Sequence, residues 1–200
     1  YPRRAANLHA AARVIVAEHG GEVPASLADL LALPGVGAYT ARAVLAFAFE
    51  ADVGVVDTNI ARVLARRAGA RLTPAQAQAE ADGWVPVGRG WEWNQGLMDL
   101  GALHCRPTPR CGGCPLAGVC AWGSGALEGP DPAVGSAGVS RRQAPYAGSD
   151  RELRGRLLRL LSEGPLARRE VAAAIGIPDD PARAEAIADS LAADRLIRLE

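Results

Sequence analysis

The sequence predicts a nearly all-α protein, and its composition is the first reason. Hydrophobic residues make up 49% of the 200 residues, enough for a substantial core, whereas aromatic residues make up only 4%. The core must therefore consist mainly of Ala, Leu and Val, and apolar runs rich in Ala favour helices over strands. In addition, apolar residues recur at helical spacing in successive segments of the chain.

The first 122 residues predict a series of helices joined by short turns. Residues 3–19 carry apolar side chains on one helical face, and Gly20 and Gly21 end that helix. Ser26 and Asp29 form the S-x-x-D capping box of a short helix, 26–32. Further helices are predicted at 38–49, 59–68, 74–83 and 93–103.

The composition changes after residue 122. Residues 123–148 are rich in Gly, Pro, Ser and Ala, which predicts a linker. Residues 149–200 predict a second small unit, in which two amphipathic segments precede a third helix that runs into a strand. Both a small helical bundle and a winged-helix-like module fit this pattern.

Charge and hydropathy exclude several classes of protein. The net charge is zero, which argues against a strongly basic, sequence-indifferent nucleic-acid binder. All 22 basic residues are Arg, so these residues contain no lysine amine that could form a Schiff base. No signal peptide and no apolar run of the roughly 20 residues that span a bilayer are present. We expect a cytoplasmic, nucleoid-associated bacterial protein, and a first residue Tyr1 suggests a fragment that lacks its N-terminal part.

Residues 33–40, LPGVGAYT, predict a tight turn between two helices. Pro34 ends the first helix, and Gly35 and Gly37 allow positive φ and remove Cβ atoms from the turn. Such a turn exposes backbone amides at the start of the second helix, which suits an anion such as a DNA phosphate. An ordinary helix–helix connection explains the glycines equally well.

Four cysteines within 16 residues have the spacing C-x5-C-x2-C-x5-C: Cys105, Cys111, Cys114 and Cys120. In a cytoplasmic protein this pattern indicates a metal site rather than disulfides. Four thiolates suit either zinc or a [4Fe–4S] cluster. Zinc ribbons usually carry two C-x2-C pairs, whereas this segment has one.

Together with VVDTNIARVL (55–64) and WNQGLMDLGALHC (93–105), the hairpin and the cysteines resemble the helix-hairpin-helix DNA glycosylases, most closely the adenine glycosylases of the MutY type. The resemblance covers residues 1–122 and implies the glycosylase fold, with a [4Fe–4S] loop at 105–120. It favours the cluster over zinc, although the first cysteine gap is one residue shorter than usual in the family.

The resemblance also implies roles for individual residues. Asp57 matches the catalytic aspartate, although local sequence alone favours a helix N-cap. Asn59 would orient its carboxylate, and Tyr39 would line the pocket near the sugar, where lyase-type relatives carry lysine. The residues expected to contact DNA are Leu33, Pro34, Gly35, Val36, Gly37, Ala38, Thr40, Arg106 and Arg110.

The implied function is a monofunctional glycosylase that removes adenine opposite 8-oxoguanine or guanine from double-stranded DNA, working as a monomer. The family's general-acid glutamate lies upstream of the first residue, so we expect the 200 residues alone to excise little. One alternative is a glycosylase of G:T and G:U mismatches, and another is a non-catalytic DNA-binding protein. The family's usual β-rich C-terminal domain is not expected, because residues 126–200 are too short and too helical.

Overall fold

The computed structural model describes residues 2–123, 125, 129–139 and 145–199, and these are helical with irregular connections and no strand. The α-helices are α1 (Pro2–Glu18), α2 (Leu27–Ala32), α3 (Ala38–Ala48), α4 (Thr58–Ala68), α5 (Pro74–Trp84), α6 (Gly90–Leu103), α7 (Asp150–Glu163), α8 (Val171–Ala174) and α9 (Pro181–Ala193). Single 3₁₀ turns lie at Ala117–Val119 and Arg168–Glu170. The all-α prediction is confirmed, and each predicted helix in residues 1–122 is present within about three residues of its expected ends.

The chain divides into two compact units, one of residues 7–141 and one of residues 142–200 together with 1–6. In the described part of the chain, no helix is long and apolar enough to cross a membrane.

Helix α4 is the centre of the larger unit. Every residue from Ile60 to Arg66 is buried, so this helix is covered on all sides. Ile60, Val63 and Leu64 pack with Leu97 of α6, and α4 and α6 form the most extensive helix pair of this unit. A helix that is buried all round must satisfy any polar side chain internally.

Helices α2 and α3 form the predicted hairpin. Ser26 caps α2, because its hydroxyl accepts a hydrogen bond from the amide of Asp29, which confirms the cap. The Asp29 carboxylate accepts from the Ser26 hydroxyl rather than from the Ser26 amide, so the reciprocal half of the predicted capping box is not formed. Leu30 and Leu33 pack against Ala41 and Leu45 of α3, so the hairpin is closed by its own apolar contacts. The turn between the two helices is thereby held on a packed base.

The smaller unit is a three-helix bundle in its described residues. Its core joins one apolar face of each helix, with Leu153 and Leu157 from α7, Val171 from α8, and Ile187 and Leu191 from α9. The strand expected after the third helix is wrong for residues 194–199, which turn back with the amide of Leu196 bonded to the carbonyl of Leu191. The described residues therefore contain no wing, and the helical bundle is the alternative that agrees with them.

Part of the predicted linker is packed rather than free. Ala133 and Ser136 are buried in the larger unit, and the amide of Ala137 donates to the carbonyl of Leu72. Composition does not reveal this, because small residues serve equally well in flexible chains and in close contacts. Residues 124, 126–128 and 140–144 of the predicted linker lie outside the described residues.

Candidate functional site

The hairpin turn uses its two glycines in different ways. Gly35 has φ +75°, and a Cβ placed there would lie 2.5 Å from the Cβ of Asn7 in α1. Gly37 has an extended φ of −97°, not the positive φ that the sequence suggested, and is the N-cap of α3 without a side-chain cap. Gly35 therefore serves a close approach within the protein, while Gly37 leaves the first amides of α3 uncapped by any side chain.

We expect Gly35→Ala to destabilise the larger unit by about 2 kcal/mol, because a left-handed backbone and a blocked Cβ position both oppose alanine. Gly37→Ser is the matched control. It places a better N-cap residue where nothing lies within 4 Å of the Cβ, so stability should be kept or slightly raised. Urea denaturation followed by circular dichroism measures both changes, and equal loss in the two variants would contradict the assignment of the close approach to Gly35.

Asp57 is both the N-cap of α4 and the centre of a polar group. Its Oδ1 accepts a hydrogen bond from the amide of Ile60 at 2.7 Å, and its Oδ2 accepts one from Nδ2 of Asn59 at 2.9 Å. The carboxylate is thus held in one orientation at the start of α4. A carboxylate oxygen has two lone pairs, so each oxygen can still face a ligand.

Asn94 of α6 fixes the segment that leads to Asp57. This side chain is fully buried, and its Oδ1 accepts from the amide of Val55 at 2.8 Å. Its Nδ2 donates to the carbonyls of Val53 at 2.9 Å and of Gly90 at 2.7 Å. One amide side chain therefore ties the approach to Asp57 onto α6.

Arg62 connects the Asp57 group to the cysteine segment. Its Nη2 donates to Oδ1 of Asn59 at 2.7 Å and to the carbonyl of Gly101 at 3.0 Å. Its Nε donates to the carbonyl of Cys105 at 2.8 Å. Burial lowers the pKa of Arg62 from its usual value, with the nearby Cys105 and Asp57 acting in the opposite direction. The guanidinium group of Arg62 therefore links Asn59, which contacts Asp57, to Cys105 through its hydrogen bonds.

Close contact between α4 and α6 depends on Gly101. A Cβ at this position would lie 2.6 Å from the Cβ and 2.7 Å from the carbonyl oxygen of Asn59. The backbones therefore approach so closely that no side chain fits between them. The contact holds Asn59 beside Asp57.

We expect Gly101→Ala to destabilise the larger unit by about 2–3 kcal/mol, because α4 and α6 must separate to make room for the added Cβ. Gly96→Ala on the same helix is the control, since nothing lies within 4 Å of its Cβ and alanine should gain up to about 1 kcal/mol there. Denaturant titrations of the two variants give the difference. If Gly101→Ala were as stable as Gly96→Ala, the close approach of α4 and α6 would not restrict position 101 to glycine.

Arg66 lies one turn after Arg62 and is almost completely buried. Its Nη1 donates to Sγ of Cys105 at 3.3 Å and to the carbonyl of Arg106 at 2.7 Å. Its Nε and Nη2 donate to the two carboxylate oxygens of Asp131 at 3.0 and 2.5 Å. The guanidinium also lies over the ring of Trp122, 5.2 Å from the ring centre. Arg66 thereby joins the cysteine segment to residues that follow it.

The pKa values of this group reflect burial and pairing. Burial raises the pKa of the Asp131 carboxyl, but hydrogen bonds from Arg66 and from the amide of Ala133 outweigh it, and the net pKa is lowered. Burial alone would lower the pKa of Arg66, and its bonds to Asp131 and Cys105 raise it. Burial raises the pKa of the Cys105 thiol, which the bond from Arg66 offsets only in part.

The four cysteines form no disulfide with one another and line one small pocket together with Arg66, Trp122 and Gly123. A Cβ on Gly123 would lie 3.1 Å from Sγ of Cys120 and 3.6 Å from Sγ of Cys111, so a glycine leaves the space between the two sulfurs open. Within the described residues, no three His, Cys, Asp or Glu side chains are placed to hold one metal ion. Four cysteines are the donor set both of a tetrahedral zinc site and of an iron–sulfur cluster.

The structure brings together some of the predicted site residues and not others. Asp57 and Asn59 are bonded to each other, and the four cysteines share a pocket. Tyr39 lies at the start of α3 with its side chain about half exposed, and among the described residues it makes no hydrogen bond to Asp57 or Asn59. The Leu33 side chain is buried in the hairpin core, so only its backbone is available to a ligand. The side chains of Arg106 and Arg110 are exposed.

Sequence reasoning missed the residues that connect these parts, namely Arg62, Arg66, Asn94, Gly101 and Asp131. One signal for the arginines was present in the sequence. Residues 60–66 are apolar on every side apart from Arg62 and Arg66, and a helix of that kind is buried, so both side chains must be paired inside the protein.

Comparison with known proteins agrees with the fold. A family model described as helix-hairpin-helix motif matches residues 18–47, which include the hairpin turn. Two solved structures are similar to the larger part of the chain. One is a thermostable thymine-DNA glycosylase, at 36% identity and a TM-score of 0.58, with 62% of this chain and 59% of that chain covered. The other is a non-covalent endonuclease III–DNA complex, at 28% identity and a TM-score of 0.53, with 62% of this chain and 59% of that chain covered.

The chain belongs to the helix-hairpin-helix DNA glycosylase superfamily. Within it, the chain is 41% identical to an adenine DNA glycosylase of Mycolicibacterium smegmatis over 209 aligned residues, which cover 98% of this chain and 66% of that protein. The chain thus spans just under two thirds of the length of that relative.

Proposed function

We propose that this chain is the catalytic part of a monofunctional DNA glycosylase of base-excision repair, which removes adenine mispaired with 8-oxoguanine or guanine. The observation that carries the proposal is the carboxylate of Asp57, held by Asn59 at the start of α4 in a chain that is 41% identical to an adenine DNA glycosylase. Its partner is double-stranded DNA with a mismatch, bound by a monomer.

Cleavage of an N-glycosidic bond builds positive charge on the sugar, and a fixed carboxylate stabilises that charge. Asp57 is suited to this task because two hydrogen bonds hold it in place before a substrate arrives. A carboxylate that needs no reorientation loses little free energy at the moment of reaction. The target base must leave the duplex to reach it, as in other enzymes that act on a base.

Tyr39 limits the outcome to base removal. A phenol cannot form an imine with the sugar, and none of the 200 residues is a lysine. Lysine-dependent cleavage of the DNA backbone is therefore outside the chemistry of these residues. The half-exposed ring at the start of α3 would border the sugar of the flipped nucleotide.

The hairpin would hold a DNA phosphate. Gly37 caps α3 without a side-chain hydrogen bond, so the first amides of α3 can donate to an anion. The endonuclease III structure that is similar to this chain is a complex with DNA. Because the donors are backbone amides, this contact requires no basic side chain, which agrees with the zero net charge of the chain.

The cysteine pocket would hold a [4Fe–4S] cluster through Cys105, Cys111, Cys114 and Cys120. The cluster would serve as a cross-link that fixes the loop, which by itself has only one 3₁₀ turn. The fixed loop would present the exposed Arg106 and Arg110 to DNA phosphates. Iron analysis and visible absorbance of the purified chain test this, and zinc in place of iron would overturn it.

A single-turnover assay tests the proposed reaction. The natural protein in its full length should release adenine from an A:8-oxoguanine duplex and leave the DNA backbone intact. The resemblance places the family's general-acid glutamate outside the 200 residues, so these residues alone should bind the duplex weakly and release little adenine. Brisk release by the 200 residues would show that the acid lies among them.

A second substrate class is thymine or uracil opposite guanine, since the chain is 36% identical to a thymine-DNA glycosylase over the part they share. G:T and G:U duplexes in the same assay separate the two activities. A purely DNA-binding role is less well supported. In the smaller unit Arg154, Arg168 and Arg183 are each paired with an aspartate, which leaves them less available to phosphates.

A further inference from the structure

Residues 131–138, called the strap below, form an irregular segment that lies against α4 and its C-terminal turn. Ser136 is buried, and its hydroxyl accepts a hydrogen bond from the amide of Leu72 at 3.0 Å. The amide of Ala137 donates to the carbonyl of Leu72 at 2.9 Å. The strap is therefore fixed by these hydrogen bonds to Leu72, four residues after α4 ends.

The strap also reaches the start of α4. A Cβ on Gly138 would lie 3.0 Å from the Cβ of Ala61 and 3.1 Å from Cγ1 of Val56, next to the turn that carries Asp57. Gly138 has φ +77°, so both its conformation and its contacts favour glycine. The strap thus contacts the protein near both ends of α4, the helix whose arginines contact the cysteine segment.

Asp131, at the first position of the strap, sets the orientation of Arg66. Its two oxygens accept from Nε and Nη2, and its Oδ1 also accepts from the amide of Ala133 at 2.9 Å. Two parallel bonds between a planar guanidinium and a carboxylate fix the plane of the guanidinium. The remaining nitrogen, Nη1, is then directed to Sγ of Cys105 and to the carbonyl of Arg106.

We propose that Asp131 is a positioning residue of the cysteine site, which acts through Arg66 to hold Cys105 and the start of the cysteine loop in the geometry that binds metal. The part of this inference that concerns iron rests on the proposed cluster. The part that concerns the order of the loop does not, because it follows from contacts of the polypeptide alone.

Asp131→Asn tests the inference, because it keeps the shape of the side chain but removes its charge and one acceptor oxygen. Glu80→Gln is the matched control, since Glu80 pairs with the next arginine of α4, Arg67, and neither side chain is bonded to a cysteine. Two quantities are measured on the purified protein. One is hydrogen–deuterium exchange in residues 105–110, and the other is the rate at which a chelator removes iron.

We expect Asp131→Asn to speed both amide exchange and iron loss by about 10-fold, the lower end of the effect of changing a residue that orients a metal ligand. Glu80→Gln should stay within about twofold of the unchanged protein, as expected for an exposed pair. Resonance Raman spectra of the loaded protein should show shifted Fe–S stretching bands in Asp131→Asn only. If the substitution only loosened the packing of the larger unit, the Fe–S stretching bands would not shift.

Asp131→Glu and Arg66→Lys complete the test and replace Asp131→Asn if that variant does not fold. Asp131→Glu keeps the carboxylate and should restore most of the iron retention. Arg66→Lys keeps the positive charge but cannot reach Asp131, Cys105 and Arg106 together, so it should behave like Asp131→Asn. Unchanged exchange and iron loss in Asp131→Asn would overturn the inference. If the unsubstituted protein contained no iron, the proposed cluster would be wrong. The exchange measurement would still test the role of Asp131.

Discussion

Asp57→Asn should reduce base excision by at least about a hundredfold and keep the N-cap of α4, because asparagine is as good an N-cap as aspartate but carries no charge. It loses the oxygen that accepts from the side chain of Asn59, so a small loss of stability accompanies the change. The structure makes this separation possible. Asp57 bonds to the amide of Ile60 as a cap, and an asparagine oxygen can accept that same bond. Single-turnover excision of adenine and urea denaturation are measured on the same preparation of the natural protein.

Asp57→Ala is the companion variant for this test. It removes both the charge and the cap, so it should lose the same activity and, in addition, about 1 kcal/mol of stability. If Asp57→Asn kept full activity, the carboxylate would be only a cap. If it lost stability as Asp57→Ala does, the loss of activity could not be assigned to charge.

Arg66→Met should destabilise the larger unit by about 3–5 kcal/mol, because it leaves the Asp131 carboxylate without its partner in a largely buried place. The side chain of Arg66 is 2% exposed and that of Asp131 is 20% exposed, so water can compensate only in part. Arg67→Met on the same helix is the control. Its side chain is 39% exposed and pairs with the similarly exposed Glu80, and its removal should cost about 1 kcal/mol or less.

Thermal and urea denaturation of the metal-free protein measure the difference between the two arginine variants. The metal-free form is used so that loss of a bound metal does not add to the effect. A similar loss in Arg66→Met and Arg67→Met would show that the buried pair contributes no more than a surface pair. The double variant Arg66→Met with Asp131→Leu should recover part of the loss, since apolar replacement of both partners removes the unpaired charge.

Helix positions were predictable from this sequence because each depends on local information. Periodic apolar residues, the Ser26 cap and the glycines after α1 all lie within one turn of the residues that they affect. The resemblance to the glycosylases implied that Asn59 orients Asp57, and the two side chains are bonded to each other. The cysteines were recognisable because their spacing is specific.

Contacts between distant segments were not predictable in this way. Arg66 and Asp131 are 65 positions apart, and nothing in the composition of residues 123–148 distinguishes a packed carboxylate from one on a flexible chain. The reason for a glycine at position 35 could not be predicted either, because its close approach to Asn7 depends on how α1 packs on the hairpin. The missing strand after α9 has a simpler cause, since a short apolar ending forms a strand only when a partner strand is available.

The strap changes where the first domain should be cut. The sequence places its end at residue 122, directly after the cysteine loop, and a protein shortened there would lack Asp131 and Ser136. Arg66 would then keep its buried position but lose the carboxylate that neutralises it. A protein that ends at residue 139 retains the whole segment, so we expect it to unfold at a higher denaturant concentration than a protein that ends at residue 122.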